Sequence, residues 1–234
     1  MGTASALFRL NLAEVQESSG VPGKNATANL GLTLRIAERN GQRCGGPILL
    51  SGLVLGIGVV QLATGPLGQT SRFSLELLVL LMLQLVGPML MALLATALLL
   101  PRWLEWVGIR GGQGRQQSVP AALVVGALLQ LMLVLAAVSG GILATPRSDL
   151  IGEWRDLLSG LWISDLLRSM LRAGVFLAAI CSWTQTRALR AQRRGIGPEL
   201  QVSNLLVEGL LLLLLLKLIW ILAVDPLHLS MSAQ

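Results

Sequence analysis

The sequence predicts an all-α polytopic membrane protein with about five transmembrane helices. Hydrophobic residues make up 53% of the 234 residues, and only 13% are charged. Soluble domains usually carry about 25% charged residues. The apolar residues also fall in long runs, and a helix needs roughly 20 of them to cross a bilayer. Most of the chain is therefore expected to lie in the membrane.

Five stretches meet this length requirement. The predicted spans cover about residues 47–64, 73–100, 119–144, 161–183 and 203–224. The fourth is the least apolar, and the last contains an unbroken leucine run from Leu210 to Leu216. Together they define a transmembrane domain over residues 47–225, followed by a short external tail at 226–234.

The N-terminal segment, residues 1–46, leaves two interpretations open. Residues 28–43 could form an amphipathic helix that lies on the membrane surface. They could equally belong to a polar tail that ends at the first span, because their apolar spacing is closer to alternation than to 3.6 residues. The apolar residues concerned are Leu30, Leu32, Leu34 and Ile36.

Glycine and proline mark two kinds of feature inside the spans. Gly87-Pro88 interrupts the second span, where proline removes a backbone donor and clashes one turn back, so a kink is expected. Other glycines allow helix backbones to approach closely, and helix packing is their main interpretation. These are Gly52, Gly56, Gly58, Gly140 and Gly141.

Lysine and arginine are distributed unevenly between the segments outside the spans. From the N-terminus to the C-terminus these segments hold 5, 1, 3, 2, 4 and 0 of them. The positive-inside rule then predicts a cytoplasmic N-terminus and an external or periplasmic C-terminus. We expect an integral protein of the cell (inner) membrane. The net charge of +6 has the same topogenic explanation, so no nucleic-acid partner is expected.

The residue types needed for catalysis are scarce. The chain has one histidine, His228, and neither a P-loop nor a GxSxG motif. Cys44 and Cys181 are far apart and show no disulfide or metal-ligand spacing. We therefore expect no enzyme activity, no cofactor and no metal, and any ATP hydrolysis would reside in a partner.

Charged residues within the fourth span are candidates for a polar cavity. Asp165, Arg168 and Arg172 share one helical face, and charges in a membrane helix usually face protein or water. The alternative is that the span starts later and that Asp165 and Arg168 lie at the outer interface, with Arg172 deeper. Lys217, deep in the last span, either snorkels or pairs with a buried partner.

The segment "LLLPRWLEWVGIRGG", residues 98–112, follows the second span. Pro101 suits a first helical position, and Gly111 suits a C-terminal stop. The segment is either an interfacial anchor, since tryptophan favours the headgroup level, or a short coupling helix moved by another protein. The candidate coupling residues are Arg102, Trp103, Glu105, Trp106, Gly108 and Arg110.

The order of these elements resembles that of the MlaE family, the permease subunits of ABC-type lipid transporters that work with MCE proteins. The resemblance runs over roughly residues 45–225. "LLVLLMLQLVGPMLMALL" is similar to the family's "ALLRELGPVLTALL", and "WLEWVGIR" resembles the end of its coupling helix, "ALRVMGID". "SDLLRSMLRAGVF" resembles "RDLLLGLLKALVF", with Asp165, Arg172 and Phe176 on the matching Asp, Lys and Phe.

The resemblance implies a permease that moves lipids, in particular phospholipids, as one half of a homodimer. It implies a cytoplasmic ABC ATPase docked at residues 101–112, an MCE-domain protein on the outer face and a lipid-sized cavity between the two copies. Arg168 and Arg172 could then supply cations to a lipid phosphate. The loop between the second and third spans is shorter than in the family, and this favours the alternative of a non-transporting membrane scaffold or assembly factor.

Overall fold

The computed structural model describes residues 25–65, 71–110, 113–145, 163–192 and 198–223. Within these ranges the chain is helical and contains no strand. The elements in chain order are α1 (Asn25–Thr64), α2 (Ser71–Leu80), a π-helix π1 (Leu81–Leu85), α3 (Val86–Arg110), α4 (Gln113–Ala144), α5 (Ile163–Gln192) and α6 (Pro198–Ala223).

Five of the described segments are long and apolar enough to cross a membrane, which confirms the predicted fold class. They are Thr33–Thr64, Phe73–Glu105, Gln117–Ala144, Ile163–Gln192 and Val202–Leu222. Each contains most of a span predicted from the sequence. The second is built from three consecutive elements, α2, π1 and the greater part of α3.

The first helix begins much earlier than the predicted span. α1 runs from Asn25 through Pro47 without interruption, so the expected boundary at 46/47 falls inside a helix. Ala37, Cys44 and Ile48 are buried on one side of α1 and belong to the main core. This buried stripe extends the helix backwards from the apolar run. Residues 25–46 are therefore the first half of α1 instead of a separate surface helix or tail, while residues 1–24 and 226–234 lie outside the described residues.

The largest interface in the bundle joins α1 to α4 and is built on small residues. A Cβ atom on Gly52 would lie 2.6 Å from the Leu133 carbonyl oxygen, and one on Gly56 would collide with the Ala137 carbonyl. Gly140 of α4 meets the backbone of Leu53 in the same way. The predicted packing role is confirmed for these glycines. Gly58 is different, because a Cβ atom there would meet nothing within 4 Å.

α4 and α5 form the centre of the bundle, and α6 lies at its side. In the most apolar window of α4, 61% of the residues are buried, against 22% in α6. Gly126 and Gly174 bring α4 and α5 together, since a Cβ atom on Gly174 would lie 2.6 Å from the Leu123 carbonyl oxygen. α6 packs mainly against α3 and α5.

Candidate functional site

The second span changes its hydrogen-bonding pattern in the middle. In π1 the chain is wound more loosely than an α-helix, and the Val86 N–H bonds to the carbonyl of Leu81, five residues back. Gly87 and Pro88 follow directly, and Pro88 has no N–H to give to the carbonyl of Gln84, four residues before it. The predicted interruption of the span thus takes the form of a π-helix, a feature that often occurs at functional sites.

The carbonyl oxygen of Gln84 is used by two cationic side chains from other helices. Arg172 of α5 donates from Nη1 at 2.9 Å, and Lys217 of α6 donates from Nζ at 2.7 Å. Both side chains are buried, with 9% and 6% of their surface exposed. Three distant parts of the sequence, the second, fourth and fifth spans, therefore meet at one backbone atom.

An aromatic ring of α6 covers Arg172 and is itself packed against a ring of α5. The guanidinium carbon of Arg172 lies 4.9 Å from the ring centroid of Trp220. Trp220 in turn contacts Phe176 edge to face, with ring centroids 6.0 Å apart. A cation over a tryptophan face is attracted by the ring's electrons, most strongly where water is excluded. The rings therefore stabilise a charge that the apolar surroundings would otherwise disfavour.

The same break exposes a second carbonyl to a side chain of α4. The Gln130 amide donates from Nε2 to the Met82 carbonyl at 3.3 Å and to Oγ of Ser169 at 3.0 Å. Gly87 makes room for it, because a Cβ atom there would lie 2.6 Å from the amide nitrogen of Gln130. We call the set of Met82, Gln84, Gly87, Pro88, Gln130, Ser169, Arg172 and Lys217 the polar cluster.

The polar cluster lies inside the span and closer to one end of the bundle. Arg172 is nine residues after the start of α5, about 14 Å along the axis at 1.5 Å per residue. Lys217 is six residues before the end of α6, about 9 Å by the same measure. Both helix ends belong to the side that the arginine count assigns to the exterior. The cluster thus occupies the half of the bundle nearer that side.

The other two charged residues predicted for the cavity lie outside the polar cluster. Asp165 and Arg168 form an ion pair at 3.8 Å, and both side chains are more than half exposed. They stand in the first two turns of α5, where a long side chain reaches the surroundings of the bundle. The structure therefore separates Asp165 and Arg168 from Arg172, although the three share a helical face by spacing.

The predicted coupling segment is the last part of α3 and not a short helix of its own. α3 passes through Pro101 and ends at Arg110. Trp103, Leu104 and Val107 continue its buried face and pack in the core that contains Cys44 and Ile48 of α1. This contact with α1 prolongs the helix beyond the apolar run.

The candidate coupling residues have different surroundings. Trp103 is buried, Arg102 is half-buried and Glu105 is exposed. The side chains of Trp106, Gly108 and Arg110 lie outside the described residues. Buried Trp103 anchors α3 within the fold, so an external partner could reach Glu105 more readily than Trp103.

Sequence reasoning found Arg172 and the Gly87-Pro88 break but did not connect them. The sequence identified Lys217 as a deep charge but not the carbonyl that it bonds, and it gave no reason to single out Gln130 or Ser169. The connecting signal was the proline itself, because a proline inside a span leaves a carbonyl four residues earlier without its usual donor. Two deep cations in later spans are the donors that such a carbonyl can use.

Comparisons with protein-family models, with curated proteins and with solved structures found no significant match to this chain.

Proposed function

We propose that this protein is the permease subunit of an ABC-type transporter that moves lipids, most simply phospholipids, between membranes. A separate cytoplasmic ATPase would supply the energy, and an MCE-domain protein would receive or deliver the lipid outside. The observation that carries the proposal is the convergence of Arg172 and Lys217 on one carbonyl inside an apolar bundle. The resemblance in element order to lipid permeases supplies the transport class.

The polar cluster has the chemistry that a phospholipid headgroup requires. A phosphodiester is an anion, and a guanidinium can hold it with two parallel hydrogen bonds while an ammonium adds a point charge. In the state described here both cations donate to the neutral Gln84 carbonyl. A phosphate would compete well for these donors, because its negative charge attracts both cations and its oxygens can accept two parallel hydrogen bonds from the guanidinium.

Energy from the ATPase would enter through the opposite end of the bundle. α3 extends as one helix from Gly87-Pro88 to Arg110, so a push on its last turns reaches the polar cluster without crossing a flexible link. Rigid-body movement of a helix is a common way to transmit such a change. In this proposal the ATPase binds the last turns of α3, which carry Arg102, Glu105 and Arg110, and two copies of the chain form the lipid path.

Co-purification followed by lipid extraction tests this function. The tagged full-length chain is isolated from its own membranes in mild detergent, and its partners and bound lipids are identified by mass spectrometry. We expect an ABC ATPase, an MCE-domain protein and bound phospholipid. Arg172→Glu should reduce the bound phospholipid several-fold, whereas Arg168→Glu, on the exposed first turns of the same helix, should not. Isolation of the chain without any ATPase would overturn the proposal.

A second candidate, a non-transporting membrane scaffold, is favoured by one observation. Only residues 111 and 112 separate α3 from α4, so little chain is left to form a separate lever for an ATPase. A scaffold would co-purify with other membrane proteins but bring no ATPase, and Arg172→Glu would leave the lipid composition of the cell unchanged.

A further inference from the structure

A group of three arginines lies at the other end of the bundle, where α1 crosses α3. Arg39 and Arg43 are exposed and stand one turn apart on α1, and Arg102 of α3 is half-buried between the helices. The three guanidinium groups are close enough for Arg39 and Arg43 to repel Arg102 electrostatically. We call them the arginine cluster. Like charges gathered in this way are unfavourable unless an anion joins them.

Arg102 is short of an acceptor within the described part of the chain. Its Nη1 atom is buried and has no hydrogen-bond partner there. Glu105, the acid nearest along the helix, attracts Arg102, but its side chain is exposed and leaves Nη1 unbonded. Buried guanidinium donors in proteins are normally bonded. An acceptor from outside these residues would complete the hydrogen bonds of this guanidinium.

The arginine cluster lies where two apolar runs end, and the lipid headgroups are expected at this level. The apolar run of α1 begins at Pro47, one turn after Arg43, and the apolar run of the second span ends at Leu100, just before Arg102. Trp103 is buried beside Arg102 and fixes this part of α3. At this level of a bilayer the abundant anions are lipid phosphates, and basic residues next to a span attract anionic lipids.

We propose that Arg39, Arg43 and Arg102 form a binding site for the phosphate of an anionic phospholipid, with its acyl chains lying along α1 and α3. Arg102 supplies the buried donor, and the two arginines of α1 close the site from the membrane surface. The exposed apolar side chains that follow on α1 offer the acyl chains a surface to lie on; they are Leu49, Leu50, Leu53 and Val54. This inference is independent of the transport function.

Titration of the purified full-length protein with defined lipids tests the site. Native mass spectrometry counts bound dioleoyl phosphatidylglycerol, with dioleoyl phosphatidylcholine as the zwitterionic comparison, in which a quaternary ammonium offsets the charge of the phosphate. We expect a clear preference for phosphatidylglycerol. Arg39→Gln, Arg43→Gln and Arg102→Gln should each weaken it about fivefold, the effect of one basic residue near a membrane surface. The triple variant should bind both lipids equally.

Arg35→Gln is the matched control, because Arg35 is also exposed on α1 but lies one turn before Arg39, farther along the helix from the arginine cluster. It should change the preference less than twofold. An equal effect of Arg35→Gln would overturn the proposal, since it would show a general attraction to the basic helix. Should Arg102→Gln fail to fold, the double variant Arg39→Gln/Arg43→Gln, which alters exposed side chains alone, decides the question.

Two further outcomes show whether the site binds a lipid phosphate or free phosphate, and whether its ligand is a lipid or a protein. Millimolar inorganic phosphate should leave lipid binding unchanged, and its displacement of phosphatidylglycerol would show a site for free phosphate instead. If the variants bind phosphatidylglycerol like the wild type but lose a co-purified protein, the arginine cluster is a protein contact and the proposal is wrong.

Discussion

α1 and α6 are attached to the same bundle by opposite means. α1 lies against α4 with glycines at the contact, so that backbone touches backbone. α6 presents long leucines, most of them exposed, and has little of its surface buried. Its polar contacts with the other helices include the bond from Lys217 to the Gln84 carbonyl and an ion pair between Glu208 and Arg187 of α5.

The difference shows what holds helices together when the solvent is lipid. Lipid tails are as apolar as leucine, so leucine contacts give no preference for protein over membrane. Close packing of small residues and hydrogen bonds between helices remain as the sources of specific attachment. α1 uses the first of these and α6 uses the second.

The largest expected effect comes from breaking the α1–α4 contact. Gly56→Ala places a methyl group against the Ala137 carbonyl, where backbone cannot move aside. We expect a loss of about 3 kcal/mol in the free energy of unfolding, the upper end for overpacking. Thermal unfolding in detergent measures it. Gly58→Ala, two residues away with open space around it, should stay within about 0.5 kcal/mol of the wild type. Equal stability of the two variants would refute the close contact.

A comparison of two proline variants tests whether the free carbonyl of Gln84 is needed to attach α6. Pro88→Ala supplies an N–H that competes with Arg172 and Lys217 for the Gln84 carbonyl. Pro101→Ala supplies one to the carbonyl of Ala97, away from the polar cluster. We expect Pro88→Ala to be less stable than Pro101→Ala by about 2 kcal/mol, the value of a hydrogen bond from a charged donor. Urea or thermal unfolding of both variants compares them, and a more stable Pro88→Ala would contradict the role given to the carbonyl.

The smallest loss in the free energy of unfolding is expected when the hydrogen bond from Lys217 to the Gln84 carbonyl is removed. Lys217→Met keeps the length of the side chain but removes the donor, and the carbonyl retains Arg172. The expected loss is about 1 kcal/mol, close to the range measured for hydrogen bonds between membrane helices. Leu218→Met, on the exposed side of the same turn, is the control. If both variants unfold at the same temperature, the Lys217 bond does not contribute to the attachment of α6.

The sequence was sufficient for the architecture because spans are long apolar runs, and their length is set by the membrane. It was less informative at the ends of helices. The polar residues at 25–46 and the tryptophan segment at 101–110 both continue neighbouring helices, because Cys44 and Trp103 are buried in one shared core. Such burial depends on a partner far away in the chain, and local spacing does not reveal it.

Individual residues of the candidate site could be predicted from the sequence, but the hydrogen bonds that join them could not. The Gly87-Pro88 break and the deep position of Arg172 followed from residue type and location. Spacing left two possibilities for Asp165 and Arg168, a cavity shared with Arg172 or a position at the outer interface, and their exposed ion pair agrees with the second. The acceptor that joins Arg172 to Lys217 is a backbone atom, and backbone acceptors carry no residue-specific signal in a sequence.

The bond between Gln84 and Lys217 also bears on the order in which the protein is made. Its two residues are separated by 133 positions, so the acceptor is synthesised and inserted long before its last donor emerges. Before α6 is inserted, Arg172 is the donor that the described residues offer to this carbonyl, and Lys217 reaches an acceptor that is already in the membrane. The contact of α6 with the carbonyl thus depends on a partner that lies in a span synthesised much earlier.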